Sequence, residues 1–242
     1  MQVRLESRPV GDVLVIQCHG RIVAGNEVFT LHSFVGDSLS KYPDAVLQLD
    51  QVEFIDSSGL GALVRLVQAA RSKGGDLKLS SVPEKIRKTL KMTNLHTQFE
   101  IYDSVEEAIT AAYLGSRYSR GKTGDARPRM LCVYESTDVG TFMREVLCSA
   151  GYNAITTATV DDAKILLRAT KAKLVVISSR MQSVRGKPTR AALEEIDPTV
   201  SLLVLEENFA SQDPGEAAEK LLNSVGSRLG TGAEAGAPPP QT

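Results

Sequence analysis

The run Phe54-Ile55-Asp56-Ser57-Ser58-Gly59-Leu60-Gly61-Ala62-Leu63 decides how this chain folds. Just upstream lies a β-rich segment, Ala45-Val46-Leu47-Gln48-Leu49, and just downstream Leu60, Leu63, Val64 and Val67 recur at helical spacing. The polar cluster Asp56-Ser57-Ser58-Gly59 therefore sits where a strand-side connection turns into a helix. Asp and Ser suit that position because their oxygens accept hydrogen bonds from the unpaired N–H groups of the first helical turn. The same turn tolerates added negative charge, so two hydroxyls there are also candidate phosphate acceptors. In isolation the cluster reads as an N-cap with glycines that permit close packing. Its surroundings decide whether it is more.

The chain has 242 residues, 42% hydrophobic and 24% charged, the composition of an ordinary globular protein of one or two domains. No apolar run approaches the roughly 20 residues that span a bilayer, which predicts no direct membrane insertion. The opening Met1-Gln2-Val3-Arg4-Leu5-Glu6 lacks the apolar core of a signal peptide and reads as a strand, so a cytoplasmic protein is expected. Cys18, Cys132 and Cys148 are odd in number, widely spaced and set in apolar patterns, which predicts buried free thiols over disulfides or metal ligands. A formal charge of −1 gives no reason to expect nucleic acid as a partner. Residues 117–129 carry Arg117, Arg120, Lys122, Arg127 and Arg129 against Asp125, with Gly121, Gly124 and Pro128 and no apolar periodicity. That composition predicts a basic linker between a domain at 1–116 and another at 130–226. Residues 227–242, rich in Gly, Ala and Pro, read as a disordered tail.

In the first domain, Val3 to Arg8 and Asp12 to Cys18 flank Pro9-Val10-Gly11 and predict a hairpin. Val28, Leu31, Val35 and Leu39 predict a helix over Asn26 to Ser40. A strand at 45–49 leads into the helix that begins at Ser57 or Ser58 and stops at Lys73-Gly74-Gly75. Leu77-Lys78-Leu79 predicts a strand, Pro83 a helix start, Phe99-Glu100-Ile101 a last strand, and Ser104-Val105-Glu106-Glu107 a capping box. The order ββαβαβαβα implies an α/β fold in which helices cover a mixed sheet.

This order, together with Asp56-Ser57-Ser58-Gly59-Leu60-Gly61 after a strand, Gly74-Gly75 before the next and Lys91-Met92-Thr93-Asn94-Leu95 ahead of the last, resembles the STAS domain of bacterial anti-sigma factor antagonists. The resemblance covers about residues 1–114 and implies a regulatory binding protein with no catalytic residue and no cofactor. In that family the Ser after the motif Asp is phosphorylated by an anti-sigma factor that is also a serine kinase. Carried over, the acceptor is Ser57, with Ser58 the weaker candidate. Asp56, Ser57, Ser58, Gly59, Leu60 and Gly61 become the partner-binding residues. The unphosphorylated antagonist binds the anti-sigma factor and frees the sigma factor, and a phosphatase of PP2C type resets the switch. Many antagonists carry acidic residues after the glycine that closes the second strand. This chain instead reads Gly20-Arg21-Ile22-Val23-Ala24-Gly25-Asn26-Glu27.

In the second domain, Met130-Leu131-Cys132-Val133 predicts a strand, followed by a helix holding Val139, Phe142, Met143, Val146 and Leu147. A strand at Asn153 to Thr157 and a helix at Asp161 to Ala169 come next. The continuous apolar runs 173–178 and 200–205 predict strands buried on both faces of a parallel sheet. The pattern resembles a response-regulator receiver, a flavodoxin-like fold, over about residues 128–226, and it is short at its end. The receiver's chemistry is missing. The acidic pair is reduced to Tyr134-Glu135, Ser178 stands at the acceptor position, Glu206 or Glu207 at the hydroxyl position, and no Lys-Pro marks a fifth strand. Without a carboxylate nucleophile and a metal cage, aspartyl-phosphate chemistry is unavailable, so a degenerate receiver used for contact with other regulatory proteins is expected.

Other motifs carry less. Gly121-Lys122-Thr123 lacks the earlier glycine and the strand–helix setting of a phosphate-binding loop. His19, His32 and His96 lack metal-ligand spacing, Asp161-Asp162 suits a helix start, and Lys85, Arg87, Lys88 and Lys91 read as a solvated helix face. The rival to a phosphorylation switch is a structural module, either a sensory-complex scaffold or a lipid-transporter accessory subunit. A receiver with working phosphotransfer is a further rival.

Overall fold

The computed structural model describes residues 3–115, 127–184 and 186–229. The chain divides into two compact units, Met1–Asp125 and Ala126–Thr242.

The first unit is a five-stranded sheet in the order β1-β2-β3-β4-β5. β1 (Arg4–Val10) runs antiparallel to β2 (Val13–Ile22), and β3 (Asp44–Ile55), β4 (Leu77–Ser80) and β5 (Ile101–Tyr102) run parallel to β2. This is the expected mixed sheet. Strand alternation turns Leu14, Ile16 and Cys18 of β2 and Ala45, Leu47 and Leu49 of β3 to one face. There they meet α1 (Asn26–Ser38), α2 (Ser57–Ser72) and α3 (Glu84–Met92) through Leu31, Val35, Leu60, Leu63, Leu66, Ile86 and Leu90 in one core. Val13, Val15 and Val46 alternate to the other face. α4 (Val105–Gly115) lies there, packing against β2, β3, β4 and β5, with Ala108, Ile109 and Ala112 buried. Gly75 is required where β4 enters: a Cβ there would lie 2.0 Å from the carbonyl oxygen of Pro43.

Several boundaries differ from the sequence expectation. β2 and β3 run on past Cys18 and Leu49, because Arg21 pairs with Phe54 and Ile22 with Ile55 beyond two register shifts. Pairing, which local periodicity does not report, extends both strands. Pro9 and Val10 belong to β1, and the hairpin turns at Gly11-Asp12, with Gly11 at φ 63°. β1 is an edge strand, where a proline is tolerated. The last strand is Ile101–Tyr102; Phe99 is buried ahead of it.

The second unit holds a four-stranded parallel sheet in the order β11-β8-β6-β7. Its strands are β6 (Arg129–Val133), β7 (Asn153–Thr157), β8 (Leu174–Ile177) and β11 (Ser201–Val204); β9 (Ser183–Val184) and β10 (Lys187–Pro188) form a separate small hairpin. The helices are α5 (Thr137–Ser149), α6 (Val160–Thr170), α7 (Thr189–Glu194) and α8 (Pro214–Leu229). Counted within the unit, the strand order is 2-1-3-4, that of a doubly wound flavodoxin-like sheet, with no fifth strand among the described residues. Of the two continuous apolar runs only β8 is buried on both faces, with Leu174, Val175, Val176 and Ile177 fully inside; β11, expected to be the same, is the edge strand, and of its residues only Leu202 is buried. Arg129 opens β6, so the expected linker ends earlier than 129; of that segment, 117–126 lies outside the described residues. Residues 227–229 complete α8, so the expected tail begins later, and 230–242 lies outside the described residues. Cys18 and Cys132 are buried free thiols whose pKa burial pushes up to about 12, and Cys148 is a half-buried free thiol.

Candidate functional site

The turn from β3 into α2 is built by Asp56. Its backbone is extended, at φ −92° and ψ −178°, and its Oδ1 accepts a hydrogen bond from the Gly59 N–H at 2.8 Å, the expected N-cap. Its second oxygen does something the sequence did not show: Oδ2 accepts from the Ala24 N–H at 2.8 Å. The Asp56 N–H also donates to the Ile22 carbonyl at 3.2 Å. One carboxylate thus ties the loop after β2 to the start of α2. The Ala24 and Gly59 N–H groups hold the Asp56 carboxyl below the usual carboxylate range, with help from Ser58 and from the charge of Arg21.

The residues expected to contact a partner separate into two sets. Ser57 and Ser58 are exposed, and Asp56 and Gly61 are partly so. Gly59 and Leu60 point inward, Leu60 at 5% exposure within the core. A Cβ on Gly59 would lie 2.3 Å from the Ile22 carbonyl oxygen and 2.8 Å from Ile55 Cγ2, so this glycine serves helix–sheet packing and not the approach of a partner. A Cβ on Gly61 would meet only the Arg65 guanidinium, at 3.4 Å.

Three further side chains lie outside the predicted contact set. Phe54, two residues before Asp56, is 49% exposed, and the Arg21 guanidinium lies over its ring, 5.4 Å from the centroid. Phe29, in the first turn of α1, is 69% exposed. The sequence signal for Phe54 was its place immediately before the polar turn. Nothing in the sequence marks Phe29, whose neighbours follow an ordinary amphipathic pattern.

The second unit has its own serine after a strand. Ser178 follows β8 and is 3% exposed; its hydroxyl donates to Glu135 Oε1 at 3.2 Å and accepts the Arg180 N–H at 3.3 Å. The structure therefore brings together Glu135 and Ser178, predicted to occupy a receiver's acidic and acceptor positions, and leaves the serine enclosed. Glu206 accepts from Gln212 at 3.2 Å, and Tyr134 packs against Phe209 with ring centroids 6.3 Å apart. Thr159 caps α6, accepting the Asp162 N–H at 3.1 Å and donating to its carboxylate at 2.8 Å, which accounts for Asp162 without a metal. No group of three or more metal-capable side chains occurs among the described residues. His19 is half-buried with Nε2 lacking a hydrogen-bond partner. On α3, Lys85, Lys88 and Lys91 are exposed, while Arg87 pairs with Asp103 at 2.9 Å. Among the described residues no helix is long and apolar enough to cross a membrane.

The fold and the turn together define the first unit as a STAS domain, whose family model matches residues 4–108. Its curated relatives include a candidate anti-sigma factor antagonist of Thermotoga maritima, 40% identical over 68 residues, 28% of this chain and 60% of that protein. An anti-sigma F factor antagonist of Paenibacillus polymyxa is 34% identical over 65 residues, 27% of this chain and 56% of that protein. The chain thus spans little more than half the length of either. The crystal structure of the Thermotoga maritima candidate antagonist aligns at 30% identity over 45% of this chain and 93% of its own, with a TM-score of 0.42.

Proposed function

We propose that this chain is an anti-sigma factor antagonist switched by phosphorylation of Ser57. Unphosphorylated, the turn at the head of α2 docks on an anti-sigma factor that is also a serine kinase and thereby frees a sigma factor. A PP2C-type phosphatase returns the phosphorylated form to the binding state. The observation that carries this reading is the exposure of Ser57 at a helix N-terminus whose capping oxygens come from its neighbour Asp56.

Because Asp56, and not Ser57, holds the turn together, modifying the Ser57 hydroxyl leaves the cap intact. A phosphoserine adds about −1.5 to −2 charges at neutral pH, and the helix dipole favours them at this end. The folded state therefore accommodates the phosphate. A partner packed over the turn would have to desolvate that dianion beside the Asp56 carboxylate, which is costly. The contact face on this reading comprises Ser57, Ser58, the exposed part of Asp56 and Gly61, and the exposed rings of Phe54 and Phe29. Aromatic side chains beside a polar switch are the usual anchors of a protein interface. The second unit, whose receiver-like serine is enclosed, supplies a further contact surface and no phosphotransfer.

Incubating the chain with the candidate kinase and ATP and mapping phosphate by mass spectrometry tests the proposal. Phosphate on Ser57 is expected. Its absence from both Ser57 and Ser58, with equal partner binding by Ser57→Ala and Ser57→Asp, would sink it.

A further inference from the structure

The second sheet ends abruptly. In a doubly wound sheet of order 2-1-3-4-5 a fifth strand lies beside the fourth, and a last helix packs behind it. Here the chain leaves β11 through a single 3-10 turn, Phe209–Ser211, and enters α8 directly. α8 still packs against β11 and α5. A cavity of about 350 Å³ is lined by Leu203, Leu205, Phe209 and Leu221, with Glu206 and Lys220. No strand runs along the outer edge of β11 among the described residues.

The backbone of β11 has a defined polarity. Ser201 and Leu205 direct their N–H groups to β8, to the carbonyls of Lys173 at 3.0 Å and Ile177 at 2.8 Å. Strand alternation then turns the N–H and C=O groups of Leu202 and Val204 toward the open side. Natural edges are blunted by lysines, prolines or bulges. Leu202-Leu203-Val204-Leu205 contains no charge and no proline, and its ladder to β8 is unbroken.

We infer that this edge is the pairing surface for a second copy of the chain, β11 against β11, antiparallel about a two-fold axis at Val204. The register follows from the backbone. With the axis at Val204, the two Val204 residues exchange hydrogen bonds through groups that already face outward. Leu202 of each copy lies opposite residue 206 of the other, whose carbonyl already accepts the Phe209 N–H at 3.1 Å, so that pair is left the single bond from the residue 206 N–H to the Leu202 carbonyl. The same register sets Leu203 opposite Leu205 of the second copy, on the face that lines the cavity and joins the cluster of Phe209 and Leu221. A pairing shifted by one residue would instead put Leu203 opposite Val204, on opposite faces of the sheet. Charge agrees as well. Lys171 and Lys173 stand by the start of β11, where their charges act on the single carboxylate of Asp197 and leave that end net basic, and Glu206 and Glu207 follow the strand's end. Antiparallel pairing brings each acidic end to the other's basic start. The chain's own residues 230–242 are a poor alternative, since their glycines and Pro238-Pro239-Pro240 disfavour a strand.

Sedimentation equilibrium of the full chain tests the pairing. Val204→Pro removes an outward N–H without touching the ladder to β8, so it should leave the circular dichroism unchanged and weaken dimerisation at least about hundredfold. Leu203→Lys gives the same answer by charge and decides the matter should Val204→Pro fail to fold. Val204→Cys chains should cross-link to one another with a short bismaleimide, above the background of the native cysteines. A wild-type chain that stays monomeric, or a dimer that survives both substitutions, overturns the inference. Dimerisation that appears only after residues 230–242 are removed overturns it too, in favour of the tail as the strand's cover.

Discussion

Two serines lie just beyond strands paired in parallel with both neighbours, one in each unit, and their surroundings are opposite. Ser57 begins a helix and faces solvent, while its neighbour Asp56 satisfies the N–H groups around it. Ser178 is 3% exposed, and its own hydroxyl is spent on Glu135 and on the Arg180 N–H. In the first unit the residue that maintains the structure and the residue that could be modified are different; in the second they are the same. A hydroxyl that only occupies a turn can take a phosphate without unfolding it. One that closes the corner cannot be modified without opening it.

The comparison breaks most severely if the turn itself is destroyed. Gly59→Ala places a methyl 2.3 Å from a backbone oxygen that cannot move aside cheaply. A loss of about 3 kcal/mol in urea unfolding of the first unit is expected, at the upper end of overpacking effects. An unchanged midpoint would show that α2 is free to shift off the sheet. Next comes Ser57→Asp, which should weaken partner binding by at least about tenfold, or about 1.4 kcal/mol, with little change in unfolding midpoint. A large stability loss would mean that Ser57, like Ser178, is structural.

In the second unit, Ser178→Ala should cost about 1 kcal/mol, its two hydrogen bonds being long at 3.2 and 3.3 Å, and should leave Ser57 phosphorylation unaltered. Asp56 supplies a pH signature. Its folded-state pKa is depressed, so its contribution is fully present above the unfolded value of about 3.9 and is lost as pH falls through the lower folded value. Asp56→Asn should flatten that acid limb. A limb of equal steepness in the variant would assign it to other carboxylates. The smallest effect sharpens the contrast between two glycines: Gly61→Ala, which meets only the Arg65 side chain, should be neutral or stabilise by about 0.5 kcal/mol through helix propensity.

The features legible in the sequence are those written in local chemistry. Asp and Ser before an amphipathic run place the α2 N-terminus, and α2 does begin at Ser57. The continuous apolar run at 174–177 marks an inner strand of the second sheet, while the similar run at 200–205 does not show that β11 is an edge; the short stretch after Leu205 signals that no fifth strand follows among the described residues. What escaped depends on partners distant in sequence. The length of β3 is set by pairing with β2, and the second role of Asp56 by the Ala24 N–H, 32 residues away. Gly59 and Gly61 look alike in a sequence, yet only the backbone of Ile22, on another strand, makes the first obligatory. The exposure of Phe29 follows from which face of α1 the sheet takes, which amphipathic spacing specifies only coarsely.

The central claim concerns Ser57 as a switch of binding and not of folding. Equilibrium binding of the full chain to a candidate serine-kinase anti-sigma factor, measured side by side for Ser57→Ala and Ser57→Asp with unfolding midpoints on the same samples, tests it most directly. Tight binding by Ser57→Ala, at least about tenfold weaker binding by Ser57→Asp and matching midpoints are predicted. Equal affinities at matching midpoints would contradict it.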